Sequence, residues 1–124
     1  MAKACPDAVL DGFLDLIAAA TGISACSAQP ATRTEAVTTY MLATHVLTPN
    51  DGAGDFTIAD DTSGRKLTMT AQEAVSITNS GTATYVALTD ATNILFVTTC
   101  TSQALVDTGT VTFPAWKINI PDPV

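Results

Sequence analysis

The stretch GTATYVALTDATNILFVTTC, Gly81 to Cys100, is apolar and threonine-rich and carries a single charge, Asp90. Its first half alternates: Thr82, Thr84, Val86 and Leu88 fall on one side, and Ala83, Tyr85, Ala87 and Thr89 on the other. That two-residue period is the period of a strand. Asp90-Ala-Thr-Asn93 consists of turn formers, and Ile94-Leu-Phe-Val-Thr-Thr-Cys100 returns as a second β-branched run. The whole reads as a β-hairpin with a loop of about four residues. Threonine is stiff at its branched carbon and suits a pleated, half-buried surface.

The same period extends outward from the hairpin. On the N-terminal side, Ile23-Ser-Ala-Cys-Ser-Ala, His45-Val-Leu-Thr, Phe56-Thr-Ile-Ala, Arg65-Lys-Leu-Thr-Met-Thr and Ala74-Val-Ser-Ile-Thr read as short strands. Ala36-Val-Thr-Thr-Tyr-Met-Leu-Ala fits either a strand or an irregular, turn-rich link. On the C-terminal side, Thr110-Val-Thr-Phe and Ala115-Trp-Lys-Ile-Asn-Ile are the last strands, with Pro114 marking an edge or bulge between them. Turn formers punctuate these runs at Pro49–Asp55, Asp60–Gly64 and Asp107–Gly109.

Only the N-terminal segment breaks the pattern. Val9, Leu10, Phe13, Leu14, Ile17 and Ala18 or Ala20 recur at three- and four-residue steps, with Asp11 and Asp15 opposite. The spacing predicts an amphipathic helix over about 7–21, opened by Pro6-Asp7 and stopped by Gly22. Strands fill about 23–120. The fold class expected is mainly β: a single-domain β-sandwich or barrel with one N-terminal amphipathic helix. No internal repeat or long linker divides the 124 residues, so one domain over 1–124 is expected.

The chain is 47% hydrophobic and 14% charged, with a formal net charge of −7. So little charge implies that other subunits cover part of the surface. Five basic residues cannot make the cationic stripe that phosphate neutralisation needs, which argues against nucleic-acid binding and against docking on an anionic membrane. The longest apolar run, Leu14–Ala20, is interrupted by Asp15 and is too short to span a bilayer. Met1-Ala-Lys-Ala-Cys-Pro6 lacks the shape of a secretion signal, so synthesis in a reducing cytoplasm is expected. Cys5, Cys26 and Cys100 lack a metal-binding spacing and read as small, buried, unpaired residues.

The catalytic inventory is thin. His45 is the single histidine and sits in an apolar strand, and no nucleophile elbow, phosphate loop or dinucleotide fingerprint is present. Ser63-Gly64-Arg65-Lys66 concentrates positive charge, but Asp60 and Asp61 offset it, so a turn or an intersubunit ion pair fits better than a phosphate site. Asn50, Asp51 and Asp55 gather oxygens in one loop without the spacing of a calcium site. Trp116 suits a core plug better than a sugar platform. The chain is therefore read as a non-enzyme, with no cofactor and no metal.

Several segments in order resemble small virion proteins from the structural gene clusters of tailed bacteriophages. They are the N-terminal helix, Cys26-Ser-Ala-Gln-Pro30 followed by Ala36 and Tyr40, Ser63-Gly-Arg-Lys66, Gly81-Thr-Ala83, Ala87-Leu-Thr-Asp90 and Trp116-Lys-Ile-Asn-Ile-Pro-Asp-Pro-Val124. Together they span nearly the whole chain. Within that class the chain most resembles capsid decoration, or cement, proteins in size, β-content and lack of catalytic groups. The resemblance implies a homo-oligomer, typically a trimer, that clamps the major capsid protein on the shell exterior, made in the bacterial host cytoplasm. A tail or head-tail component (tube, ring or fibre base) is the alternative, and a carbohydrate-binding receptor module a more distant one. Candidate contacts are Arg65 and Lys66 for ion pairing, the Asn50, Asp51 and Asp55 loop, and Asp122 and Val124 in the tail, since loops and termini reach neighbours without disturbing a sheet.

Overall fold

The computed structural model describes residues 6–52, 54–62 and 64–120. The fold is mainly β with one N-terminal α-helix. Helix α1 spans Asp7–Ala18, and Val9 and Leu10 donate their N–H groups to the Pro6 carbonyl. The helix stops three residues short of the expected boundary. The sheet takes over the next backbone: Thr21 N–H donates to Thr89 O at 2.9 Å, and Leu47 N–H to Thr21 O at 2.8 Å. Gly22 therefore opens a strand and does not end the helix.

The strands are β1 (Gly22–Cys26), β2 (Met41–Val46), β3 (Phe56–Asp60), β4 (Arg65–Met69), β5 (Gln72–Ser76), β6 (Gly81–Thr89), β7 (Ile94–Leu105), β8 (Thr110–Phe113) and β9 (Trp116–Ile120). Among the described residues they form three antiparallel sheets: β2-β1-β6-β7, β3-β4-β9 and β5-β8. Between β1 and β2, Glu35–Thr39 forms a short π-helical turn. Thr32 Oγ1 caps it by accepting from Glu35 N–H, while the Glu35 carboxylate accepts from Ala31 N–H. The ambiguous Ala36–Ala43 run thus divides into turn and strand.

The β6–β7 hairpin forms as its sequence predicts, and Asp90 sets the turn. One carboxylate oxygen accepts from Thr92 N–H at 2.8 Å and from Asn93 N–H at 2.6 Å. Simple alternation along β6 does not survive, however. The register shifts between Ala83 and Tyr85, where Thr84 stands opposite three residues of β7, Cys100 to Ser102. Ala83 consequently joins Val86 and Leu88 on the main-core side, while Tyr85 and Ala87 face a smaller cluster with Cys26 and Ala36 under the π-helical turn. A bulge reverses parity in this way because side chains alternate with a period of two.

One main core draws on all three sheets and the helix: Leu14 and Ile17 from α1, Ile23 and Leu88 from the four-stranded sheet, Phe56 and Leu67 from the three-stranded sheet, and Val75 and Phe113 from the pair. Each such side chain, fully buried, contributes about 1.5–3 kcal/mol.

Candidate interface

Helix α1 lies against β3, β4 and part of β7, and an ion-pair fork fixes it there. Arg65, at the start of β4, donates through Nε to Asp11 Oδ1 at 2.8 Å and through Nη2 to Asp11 Oδ2 at 3.2 Å. Its Nη1 reaches Asp60 Oδ1 at 2.7 Å across the β3–β4 turn. The hydrogen bonds it donates to Asp11 first, then Asp60, push the guanidinium pKa above its ordinary value. Arg65 is thus engaged within its own chain. Lys66 lies half-buried beside it and, with Lys117, adds positive potential at Asp61.

The Asn50, Asp51 and Asp55 loop also turns inward. Asn50, in the left-handed region at φ 82°, donates its N–H to the Ala18 carbonyl at the end of α1. Asp51 Oδ1 accepts from Ile58 N–H at 2.9 Å, and Gly52, at φ 76°, donates to Phe56 O at 2.8 Å. These two bonds occupy two outer backbone groups of β3, the Phe56 carbonyl and the Ile58 N–H. Asp55 ties the loop to the junction of β4 and β5: its carboxylate accepts from Thr48 N–H at 2.6 Å, Thr70 Oγ1 at 2.8 Å and Gln72 Nε2 at 2.9 Å. Burial alone would raise its pKa, but the bonds from Thr48, Gln72 and Thr70, helped by the charge of His45, hold it below the usual value. Asp122 and Val124 lie outside the described residues.

The first half of the outer edge of β2 is covered as well. Thr78 and Asn79 donate their N–H groups to the Leu42 carbonyl, the Asn79 side chain donates to Met41 O at 2.9 Å, and Ala43 pairs with Ile77. β7 is treated differently. Among the described residues it pairs with β6 alone, and its other edge carries no ladder partner. That edge borders an open groove of about 460 Å³, walled by Phe13, Phe96, Thr98, Trp116, Ile118 and Ile120. Phe96 and Trp116 meet across it with ring centroids 6.0 Å apart; Trp116 is half-buried, packed against the main core on one side and walling the groove on the other. Cys100 lines a smaller adjoining hollow, and burial raises its thiol pKa. Burial, then the neighbouring Cys100, pushes Cys26 up to about 11, so neither thiol is poised as a nucleophile at neutral pH.

A second surface was hidden by the way the sequence was read. Val9 and Phe13, expected on the buried face of the helix, are 62% and 52% exposed, and Leu16 is 70% exposed. Leu10, Leu14, Ile17 and Ala18 form the buried face instead. The two sets are adjacent, and together they span more than half the helix circumference at 3.6 residues per turn. An arc that wide is more than one packing partner can cover. Its width was the available signal, since Leu16 lies outside the face assigned from spacing. Val9, Phe13 and Leu16 form an outward ridge, and Phe13 continues it into the groove.

The apolar ridge on α1 and the long unpaired edge of β7 are the features of this surface suited to protein contact. Among the described residues no three of His, Cys, Asp and Glu come together as a metal site, and no helix is long and apolar enough to cross a membrane. No family model, curated protein or solved structure matches the chain.

Proposed function

We propose that the chain is a structural protein of a tailed-phage virion, a decoration protein that binds the major capsid protein on the outer face of the shell. The observation that carries this reading is the ridge of Val9, Phe13 and Leu16, three large apolar side chains left in water on one helix. Burying each against a partner is worth roughly 1.5–3 kcal/mol, and anchors of this kind dominate binding energy when they enter a pocket. The ordered resemblance of its segments to small virion proteins supplies the partner. The net charge of −7 supports an exterior position, away from packaged DNA, and a basic rim on the capsid side. A small clamp gains further from engaging several shell subunits at once, because each later contact forms at high effective concentration.

The test is co-sedimentation of the purified protein with assembled tailed-phage heads, with isolated tails in parallel. Heads should carry it down, and Phe13→Glu with Leu16→Glu should weaken binding by at least ~100-fold, as expected when two central apolar anchors are lost. Binding to tails alone would replace this reading with that of a tail component. Binding to neither would reject a virion role.

A further inference from the structure

The edges of the two larger sheets are not protected alike. β3 is clipped by Asp51 and Gly52 at Phe56 and Ile58, and β2 by residues 77–79 over its first half, Met41–Ala43. β9 carries Lys117, exposed on its edge strand and paired with Asp61 at 3.2 Å, and an edge lysine is a common guard against strand addition. β7 has neither a backbone clip nor a charge along Ile94–Thr99, and its one irregularity there is the extra residue Leu95. That segment contains no charge, proline or glycine, and no charge appears anywhere from Ala91 to Val106. Its ladder with β6 is continuous from Phe96 to Thr99, between an extra residue at Leu95 and the larger bulge at Cys100 to Ser102.

We propose that Ile94–Thr99 of β7 pairs antiparallel with the same segment of a second copy about a two-fold axis, joining two four-stranded sheets into one. Three observations select a second copy as the occupant. An antiparallel edge is its own complement: a two-fold axis through it sets identical donors and acceptors opposite each other, so one strand suffices for both sides. A chain with net charge −7 repels its copies, and β7 lies wholly within an uncharged interval, Ala91 to Val106, so two copies meeting there bring no carboxylates together along the pair. The bulge from Cys100 to Ser102 ends the pairing segment on one side and the extra residue Leu95 bends it near the other, so the regular run Phe96–Thr99 limits the register. The inference rests on β7 and is independent of where the protein acts.

The full chain in sedimentation equilibrium tests it. Wild type should approach twice the 12.8 kDa chain mass with rising concentration, and the amides of Ile94–Thr99 should gain hydrogen-exchange protection over the same range. Thr98→Lys with Thr99→Lys brings like charges together across the pair and should raise the dimer dissociation constant about tenfold or more. These lysines lower the net negative charge, so a general electrostatic effect would strengthen association and has the opposite sign. His45→Lys, exposed on the edge strand β2, should leave the dimer intact. If the double variant loses its cooperative melt, Thr99→Lys alone, at an exposed position, carries the same test. A single-chain mass at every concentration, a trimer, or a dimer indifferent to the lysines would overturn the proposal. Head binding is read separately, so a chain that pairs but ignores heads rejects the virion role and leaves this inference standing.

Discussion

β3 and β7 are both outer strands, yet one is closed by its own chain and the other is left open. β3 is five residues long, and its outer backbone groups at Phe56 and Ile58 are taken by Gly52 and Asp51. β7 is twelve residues long, and its outer edge has no ladder partner among the described residues. The same chain therefore contains the means to close an edge and uses them selectively. Charge follows the same division. Asp51, Asp55, Asp60 and Arg65 gather around β3 and β4, whereas β7 has no charged residue at all. Exposed strand edges invite pairing, and proteins that must stay monomeric guard them. An edge left bare beside three guarded ones is a candidate contact.

The strongest way to break the closed side is to remove Asp55. Asp55→Ala leaves Thr48 N–H without its acceptor and deprives the buried Gln72 amide of its carboxylate partner. Thr48 is exposed and Gln72 keeps Thr70 as an acceptor, so the loss is that of several hydrogen bonds to a charged group, about 1.5–3 kcal/mol in urea unfolding. The pH dependence gives an independent check. The folded-state pKa of Asp55 lies below its ordinary value of 3.8, so the stability it contributes is fully present above that value. It is lost as pH falls through the depressed folded-state pKa. Asp55→Asn should flatten the acid limb of the stability profile, and an unchanged acid limb would show that the network around Asp55 contributes little.

A gentler change separates closure from stability. Asp51→Ala removes the acceptor for Ile58 N–H and should cost about 1 kcal/mol, the typical net value of one such bond. Its second effect is the more informative. With Ile58 N–H uncovered, β3 becomes a partly open edge, and light scattering should show more self-association than wild type at equal concentration. If association stays the same, the clip is a local brace and not a guard.

The fold was legible in the sequence wherever one periodicity applied to a whole element. Gly81–Asn93 announced its hairpin because alternation, turn chemistry and a β-branched return strand agreed. The face assignment within β6 failed at Thr84, since a bulge depends on the partner strand and leaves no mark on local alternation. Helix α1 was legible as a helix but not in its orientation: spacing identifies apolar positions, while the sheet determines which of them it covers. The candidate contacts divided along similar lines. Arg65, Asn50, Asp51 and Asp55 stood out as charged or polar loop residues, and tertiary structure engages all four within the chain. The ridge and the β7 edge were missed because neither shows as a motif. One is defined by what the sheets fail to cover, the other by strand order.

The smallest expected effect on stability belongs to Lys117, and it bears most directly on why β7 differs from its neighbour. Lys117 bonds both oxygens of Asp61, at 3.3 and 3.2 Å, from an exposed position on β9. Asp61 is held below its usual pKa first by Thr62 N–H and then by this lysine. Such a surface pair is screened by salt and adds little to folding, so Lys117→Thr should leave the thermal midpoint nearly unchanged. The substitution nevertheless strips β9 of its only charge and gives it the threonine-rich character of β7. If lysine is the guard, the variant should gain a second mode of association that persists in the Thr98→Lys, Thr99→Lys background. If the variant associates no more than wild type, an uncharged edge is not sufficient for pairing, and the bare ladder of β7 must owe its selectivity to the groove beside it.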